Sequence, residues 1–145
     1  MKLIIQRVNQ TSVAVSGKIV GQISKGLFVL VGIKDGDNKD DASELSKKLV
    51  KLRIMSDKNN KMNLSILDTS SEILVVSQFT LYADTKGGNR PSFIKAAEPS
   101  VAREIYEHFV SELEKLGAKV ATGEFGSYMN IDAKIDGPVT IVLET

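Results

Sequence analysis

The sequence predicts an α+β fold: one domain spanning residues 1–145, in which antiparallel β-sheets, barrel-like or layered, have two main helices packed on one side. Three observations lead to this prediction. Short apolar, β-branched segments alternate with glycine-containing turns in the first third of the chain, two later segments repeat apolar residues at helical spacing, and strand-like segments return at the end. At 145 residues, the chain is long enough to bury a core without disulfides or a structural metal.

The β-structure is predicted in three groups. The first third forms an antiparallel meander, because its apolar segments are short and its turns contain glycine. The middle segment is the most strand-like, although polar residues enter it where a buried strand should continue. The predicted strands cover residues 3–8, 12–16, 19–23 and 27–33 in the first group, 73–82 in the middle, and 119–122, 129–135 and 139–143 at the end.

Two segments are predicted to form helices with one apolar face. The first begins near Asp41, because Glu44 three residues later is the partner that a capping box requires. The second begins near Pro99, a residue suited to the first helical turn, and ends before Gly117, which suits the position after a helix. The apolar stripes consist of Ala42, Leu45, Leu49 and Leu52 in the first helix and of Val101, Ile105, Phe109, Leu113 and Leu116 in the second.

Composition excludes several classes of function. The chain has no Cys, which removes disulfide scaffolds, thiolate zinc sites and Cys nucleophiles, and its single His removes two-histidine metal sites. No metal or cofactor is therefore expected. The net charge is +1, from 19 Lys and Arg against 18 Asp and Glu, so a broad basic face for nucleic acid is not expected either. No apolar segment is long enough for a signal peptide or a membrane span, which predicts a cytoplasmic protein that binds no membrane.

Three features resemble functional sites, but a structural interpretation is favoured for each. His108 lies in the middle of the second helix, so it is interpreted as a boundary residue rather than a base. The acidic residues between 35 and 44 do not fit an EF-hand, because Asp40 stands where that loop requires Gly. The loop from Lys86 to Arg90 lacks a P-loop pattern, and binding of a phosphate by its glycines and cations is the minor alternative to a solvated loop.

Two further motifs contain polar or conformationally special residues. Ser77, Gln78 and Thr80 stand at the carboxyl end of the middle strand, where they either satisfy local backbone or form a small pocket for a carbonyl and its developing oxyanion. No base accompanies them in the sequence. Gly137-Pro138 precedes the last strand and, from its residues alone, is interpreted as a turn, since most peptide bonds before proline are trans.

Taken together, these segments resemble the D-aminoacyl-tRNA deacylase family over essentially the whole chain. The resemblance is carried by motifs that follow the family's order and approximate spacing, each weak by itself but specific as a set. The motifs are Gln6-Arg7-Val8, Gly26-Leu27 with Val31-Gly32, Ser77-Gln78-Phe79-Thr80, Asn89-Arg90-Pro91-Ser92-Phe93, Phe125-Gly126 with Met129, and Gly137-Pro138-Val139-Thr140.

The resemblance implies a homodimeric hydrolase that cleaves the ester between a D-amino acid, or glycine, and the 3′ end of tRNA. In this family the active site lies at the dimer interface, where a Gly-cis-Pro dipeptide of one subunit enters the pocket of the other and excludes L-amino acids. Carried over, the filter dipeptide is Gly137 and Pro138. The residues that line the catalytic pocket are then Ser77, Gln78, Phe79 and Thr80.

The same resemblance implies supporting roles for residues in other segments. Arg7 would brace the Gly-Pro dipeptide. Phe125 and Met129 would hold the terminal adenosine of the tRNA. Lys86 and Arg90 would meet tRNA phosphates, so that few backbone contacts are needed and a net charge near zero is no obstacle.

Two mechanisms are compatible with the motif. In the first, a hydroxyl of the substrate's own ribose assists hydrolysis by a positioned water, and backbone N–H groups near Phe79 and Thr80 stabilise the oxyanion. In the second, Thr80 is the nucleophile. The second is disfavoured, because no His, Lys or carboxylate that would activate the hydroxyl is evident in the sequence.

One position departs from the family pattern. The family usually carries Asn two residues before the Gly of its Gly-Pro motif, whereas this chain has Ile135, with Asp136 as the candidate substitute. Discrimination against L-aminoacyl-tRNA is expected to be preserved. Two alternatives follow from the departure: a tRNA-binding relative that has lost activity, and a relaxed relative with a trans Gly-Pro bond that accepts some L substrates.

Overall fold

The structure, a computed structural model, describes residues 1–145 and contains eight strands, two α-helices and one 3₁₀ turn. The strands are β1 (Lys2–Val15), β2 (Lys18–Ile23), β3 (Gly26–Gly32), β4 (Met55–Ser56), β5 (Met62–Leu64), β6 (Glu72–Ser77), β7 (Lys119–Thr122) and β8 (Asn130–Glu144). The helices are α1 (Lys39–Lys51) and α2 (Pro99–Lys115), and the 3₁₀ turn is Phe79–Tyr82.

Six strands form one sheet that nearly closes into a barrel. Their order is β2-β1-β3-β6-β7, and β8 pairs along the other edge of the long strand β1. At the seam the backbones of β2 and β7 approach closely, because a Cβ atom on Gly21 would lie 2.2 Å from the carbonyl oxygen of Thr122. Strand β8 pairs with β1 alone, so its other long edge is free. The short strands β4 and β5 form a separate hairpin.

The expectation of purely antiparallel sheet is wrong for the centre of the sheet. Strands β1, β2, β3 and β8 pair antiparallel, but β3 pairs parallel with β6, and β6 pairs parallel with β7. The physical reason is connectivity. Helix α1 lies between β3 and β6 in the chain and α2 lies between β6 and β7, and a helical crossover returns the next strand in the same direction. The carboxyl ends of these three strands consequently meet at one edge.

Several element boundaries also differ from the prediction. The capping box exists, but three residues earlier than expected: the Asn38 side chain accepts from the amides of Asp40 and Asp41, and the Asp41 carboxylate accepts from the amide of Asn38. The predicted middle strand ends at Ser77, and the two predicted final strands are one continuous strand, β8. The second helix begins at Pro99 and is followed by Gly117 at a φ of +91°, as predicted.

The sheet has an apolar core on each face. Alternate residues of β3 and β6 point to opposite faces, so that Val29 and Val75 join the larger core under both helices, while Phe28 and Leu74 join the smaller core inside the curve of the sheet. The two helices thus pack on one side, as predicted. No helix is long and apolar enough to cross a membrane.

His108 lies where the two helices meet. Its Nε2 atom is 2.9 Å from the hydroxyl oxygen of Ser43 on α1, and the pair is half-buried. The residue lines neither the cavity beside the end of β6 nor the one beside Tyr82. This position agrees with its interpretation as a boundary residue.

Candidate active site

The Ser77-Gln78-Phe79-Thr80 motif marks the point where strand β6 turns away from the sheet. The amide of Gln78 makes one more sheet-like bond, to the carbonyl of Val31 at 2.7 Å, and the chain then enters the 3₁₀ turn. Gly32 permits this turn to lie close to β3, because a Cβ atom there would be 2.9 Å from the Cβ atom of Leu81. A buried strand therefore ends in an exposed polar turn at a fixed place.

The turn presents backbone donors rather than a base. The first amide N–H groups of a helical turn have no acceptor within it, which leaves those of Phe79 and Thr80 available to a ligand. The Thr80 hydroxyl oxygen accepts a hydrogen bond from the side-chain amide of Gln78 at 2.5 Å. No ion pair or hydrogen bond brings a His, Lys or carboxylate to that hydroxyl.

A cavity of about 690 Å³ opens beside this turn. It lies at the carboxyl ends of the parallel strands, with β6 supplying one wall, the segment after β7 supplying another, and the start of α2 closing the side. Two-thirds of its lining residues are apolar. Of the residues predicted from the sequence, the cavity brings together Ser77, Gln78, Phe79, Phe125 and Met129.

Thr80 is the one member of the catalytic motif that does not line this cavity. The ring of Phe79 is 57% exposed at its mouth and meets Phe93 edge to face, with ring centroids 5.0 Å apart. Phe93 itself comes from the loop after the turn and also lines the cavity. The two rings give the entrance an aromatic wall.

Phe125 is held between two residues of α2. The Tyr106 ring packs against the Phe125 ring with centroids 5.6 Å apart, and the Arg103 guanidinium lies over the Phe125 ring, 5.0 Å from its centroid. The Tyr106 hydroxyl donates to the carbonyl of Val75 in β6 at 3.0 Å, and burial raises the pKa of Tyr106. This support was missed in the sequence, where Arg103 and Tyr106 are ordinary helix residues and only the tertiary contact reveals their position.

Gly137 and Pro138 form a bulge in β8, on a different surface from the cavity. In the pairing of β1 with β8, Gln6 faces Thr140 and Val8 faces Ile135, so that Arg7 alone stands opposite the four residues 136–139. The peptide bond between Gly137 and Pro138 is cis, and Gly137 has a φ of +126°. Both residues are exposed and neither lines the cavity of their own chain.

Arg7 lies beneath this bulge. The residue is only 7% exposed, and its Nη1 atom donates to the carbonyl of Ile54 at 2.8 Å. Its Nε atom is 2.8 Å from the Asp136 carboxylate, and a Cβ atom on Gly137 would lie 3.5 Å from its Nη2 atom. The guanidinium therefore joins β1, the chain before β4 and the base of the bulge.

Lys86 and Arg90 occupy an exposed loop and do not line the cavity beside the turn. The loop is closed by Asp84, whose carboxylate accepts from the amide of Lys86 at 3.0 Å and pairs with Lys95 at 2.8 Å. These contacts, led by that of Lys95, lower the pKa of Asp84. Lys86 and Arg90 make no ion pair, so both cations face solvent.

No group of three His, Asp or Glu side chains is arranged to hold a metal ion. The polar groups that face the cavity are hydroxyl, amide and backbone groups, with one carboxylate at Glu98. Such a lining suits a neutral or polar organic group.

Comparison with known proteins agrees with these features. A family model described as D-Tyr-tRNA(Tyr) deacylase matches residues 4–144. A D-aminoacyl-tRNA deacylase of Flavobacterium psychrophilum is 56% identical over 100% of this chain and 97% of its own length, and one of Thermosipho africanus is 48% identical with the same coverage.

Solved structures show the same fold. A protein described as the c-Myc DNA Unwinding Element Binding Protein has a TM-score of 0.94 and 37% identity, covering 100% of this chain and 99% of its own. A probable eukaryotic D-amino acid tRNA deacylase has a TM-score of 0.84 at 17% identity, covering 98% and 97%, a likeness of fold alone. With the family model matching nearly every residue, the chain belongs to the D-Tyr-tRNA(Tyr) deacylase family.

Proposed function

We propose that this protein hydrolyses the ester bond of D-aminoacyl-tRNA and of glycyl-tRNA, releasing the amino acid and tRNA in the cytoplasm. The observation that carries the proposal is the cavity at the ends of β3, β6 and β7, into which the family motif Ser77-Gln78-Phe79 projects. Its volume of about 690 Å³ lies within the range of small-molecule sites, which suits an aminoacylated adenosine.

Binding of the tRNA end relies on the aromatic side of the cavity. Phe125 is fixed on α2 by its neighbours, so its face and the adjacent Met129 side chain offer a preformed surface for the adenine. Lys86 and Arg90, which are free of ion pairs, contact phosphates farther along the tRNA. Two cations suffice here, because the specific contacts are made to the acylated end.

Hydrolysis proceeds without a protein base. Water attacks the ester carbonyl carbon and passes a proton to the neighbouring ribose hydroxyl, which relays a proton to the leaving 3′ oxygen as the carbon–oxygen bond breaks. The amides of Phe79 and Thr80 stabilise the negative charge that develops on the carbonyl oxygen. Thr80 contributes its backbone, while its hydroxyl oxygen is occupied by the Gln78 amide.

The complete site is formed by two copies of the chain. The cavity and the Gly137-Pro138 bulge lie apart on one chain, the edge of β8 is free, and exposed apolar residues flank the region, with Tyr128 87% and Ile131 39% exposed. In a homodimer the bulge of one copy reaches the cavity of the other. Its backbone binds the substrate's amino group and leaves no room for an L side chain, whereas glycine and D side chains fit.

The test is single-turnover deacylation of D-tyrosyl-tRNA, glycyl-tRNA and L-tyrosyl-tRNA by the purified wild-type protein. Rapid release from the first two, with the third spared, is the expected result. Failure to cleave D-tyrosyl-tRNA refutes the proposed function. Comparable cleavage of the L substrate refutes the chiral filter but leaves the hydrolase activity in place.

A second candidate function is nucleic-acid binding without turnover. It is favoured by one observation, the description of the 37% identical structure as the c-Myc DNA Unwinding Element Binding Protein. Binding and cleavage separate the two: a pure binder retains D-tyrosyl-tRNA on a filter with its ester intact, whereas a deacylase releases the amino acid at the same protein concentration.

A further inference from the structure

The base of the bulge in β8 contains a charged residue whose role the deacylase motifs leave open. Asp136 is the first of the four residues that stand opposite Arg7 in the strand pairing. After Val8 pairs with Ile135, the chain leaves the ladder at Asp136 and rejoins it at Thr140 opposite Gln6. Any contact of Asp136 therefore fixes the direction in which the bulge departs from the sheet.

Asp136 makes one such contact, an ion pair with a buried cation. Its Oδ2 atom is 2.8 Å from Nε of Arg7, and the exposed fractions of the two side chains are 29% and 9%. The Nε hydrogen is not directed at the carboxylate, so the contact acts between charges rather than as an aligned hydrogen bond. Asp136 is the single acidic side chain within ion-pair distance of this guanidinium.

A buried guanidinium depends on its partner far more than an exposed one does. Arg7 is almost completely shielded from water, and its other polar contact is the hydrogen bond that it donates to the backbone carbonyl of Ile54. Removing the carboxylate leaves an uncompensated positive charge, which must move toward solvent or draw water beneath the bulge. Either response displaces the Arg7 group that lies next to Gly137.

The side chain at position 135 supplies no other polar contact that could hold the bulge. Ile135 pairs with Val8 through the backbone ladder, and its side chain is apolar and 37% exposed. The polar support of the bulge in this chain comes from Arg7 and Asp136 alone, apart from the backbone ladder on either side.

We infer that Asp136 is a positioning residue for stereochemical discrimination: its carboxylate holds the Arg7 guanidinium under Gly137 and thereby fixes the orientation of the Gly137-Pro138 bulge. The inference rests on the proposed function, in which this bulge enters the cavity of a second copy. Asp136 does not touch the substrate or the reacting atoms.

The experiment compares Asp136→Asn and Asp136→Ala with wild type, and uses Asp132→Ala as the matched control. Asp132 lies in the same strand, is exposed and makes no ion pair, so its removal changes the net charge equally. For both Asp136 variants we expect the ratio of kcat/KM for D-tyrosyl-tRNA over L-tyrosyl-tRNA to fall about tenfold, mainly through faster cleavage of the L substrate, because losing one positioning contact typically changes discrimination by this order.

Comparing the rates with the D and L substrates distinguishes a positioning role of Asp136 from a purely structural one. A merely structural role would lower the rates with D and L substrates in parallel, so an unchanged ratio in both Asp136 variants overturns the inference. So does an Asp136→Asn variant that behaves like wild type, because the charge would then be dispensable. A wild-type protein that cleaves no D-tyrosyl-tRNA refutes the proposed function, a result distinct from a change among the variants.

A measurement without substrate provides a second test. In urea unfolding, the destabilisation caused by Arg7→Met and Asp136→Asn together should be smaller in the double variant than the sum of the two single effects, because each single variant already removes the ion pair. Additive effects would show that the pair is not coupled and would overturn the inference. The control pair Arg7→Met with Asp132→Ala is expected to be additive.

Discussion

The two regions that carry the family motifs interrupt a strand in opposite ways. At Ser77 the central strand β6 stops, and the chain curls into a turn that walls a concave cavity. At Asp136 the edge strand β8 makes an exposed, convex detour and then continues. In the proposed function, the concave region binds what every aminoacyl-tRNA shares, the ester and the adenosine, whereas the convex region discriminates between the configurations of the amino acid.

The two regions are also supported differently. The turn is held by backbone bonds on both sides, from the Gln78 amide to Val31 and from the Ala83 amide to Thr80. The bulge has the Arg7 side chain beneath it, and Gly137 adopts a conformation that other residues rarely reach. Substitutions of single side chains should therefore damage the bulge more than the turn, which the following variants test in order of decreasing effect.

The largest effect is expected for Gly137→Ala. A Cβ atom there would lie 2.8 Å from both the amide nitrogen and the Cγ2 atom of Val139, at a φ of +126°. The added strain should reorient the bulge and reduce kcat/KM for D-tyrosyl-tRNA about a hundredfold. Gly87→Ala is the control, since its Cβ atom would meet nothing within 4 Å and its φ is not positive. Full activity in Gly137→Ala would show that the bulge tolerates displacement.

A smaller effect is expected on the concave side for Phe125→Ala. Removing the ring takes away the proposed adenine surface and the partner of Tyr106 and Arg103. KM for D-tyrosyl-tRNA should rise about tenfold while the preference for D over L is kept, because aromatic stacking contributes on the order of 1 kcal/mol. Steady-state kinetics measure KM, and the KM of Phe125→Leu should lie between those of wild type and Phe125→Ala. Loss of the D preference would contradict the assignment of stereochemical discrimination to the bulge.

Alkaline pH should lower the stability of the fold in part through Tyr106, which supports the concave side. Burial raises the pKa of Tyr106, so as the pH rises above about 10 the unfolded chain loses this proton before the folded one, and the free energy of unfolding falls. Tyr106→Phe should unfold about 1 kcal/mol more easily at pH 7, because the bond to Val75 is lost, and should show a shallower decline above pH 10. Urea unfolding at several pH values measures both. An equal decline in variant and wild type would contradict the assignment.

The smallest effect is expected for Thr80→Ala. Its backbone amide remains and its hydroxyl has no activating base, so the single-turnover rate should stay within about threefold of wild type. A loss of several hundredfold that Thr80→Ser restores would instead establish the hydroxyl as the nucleophile.

Much of the fold follows from local sequence patterns, but the location of the cavity does not. The helices were predictable from the spacing of residues such as Leu45 and Phe109, which are buried in the core. The parallel pairing was missed because periodicity within a strand does not specify its partner. That pairing brings Ser77 and Phe125, far apart in the chain, to one edge of the sheet.

The support of the bulge was even less accessible to sequence reasoning. Alternation along β1 places Arg7 on the same face as the buried Leu3 and Ile5, and its side chain is buried there although it is charged. Its contacts, the carbonyl of Ile54 and the carboxylate of Asp136, lie 47 and 129 positions away in the chain. Only the family resemblance connected Arg7 with the Gly-Pro dipeptide, and it named Asp136 as a substitute for the family Asn without pairing it with Arg7.

The separation of cavity and bulge on one chain has a genetic consequence in the proposed dimer. A subunit with a damaged bulge impairs its neighbour's pocket and not its own, so the defect acts in trans. A cell that produces two impaired alleles, one altered at Gly137 and one at Phe125, would assemble mixed dimers in which one pocket combines the intact parts of both subunits. The two alleles would complement each other, because each alone gives only dimers in which both pockets are impaired.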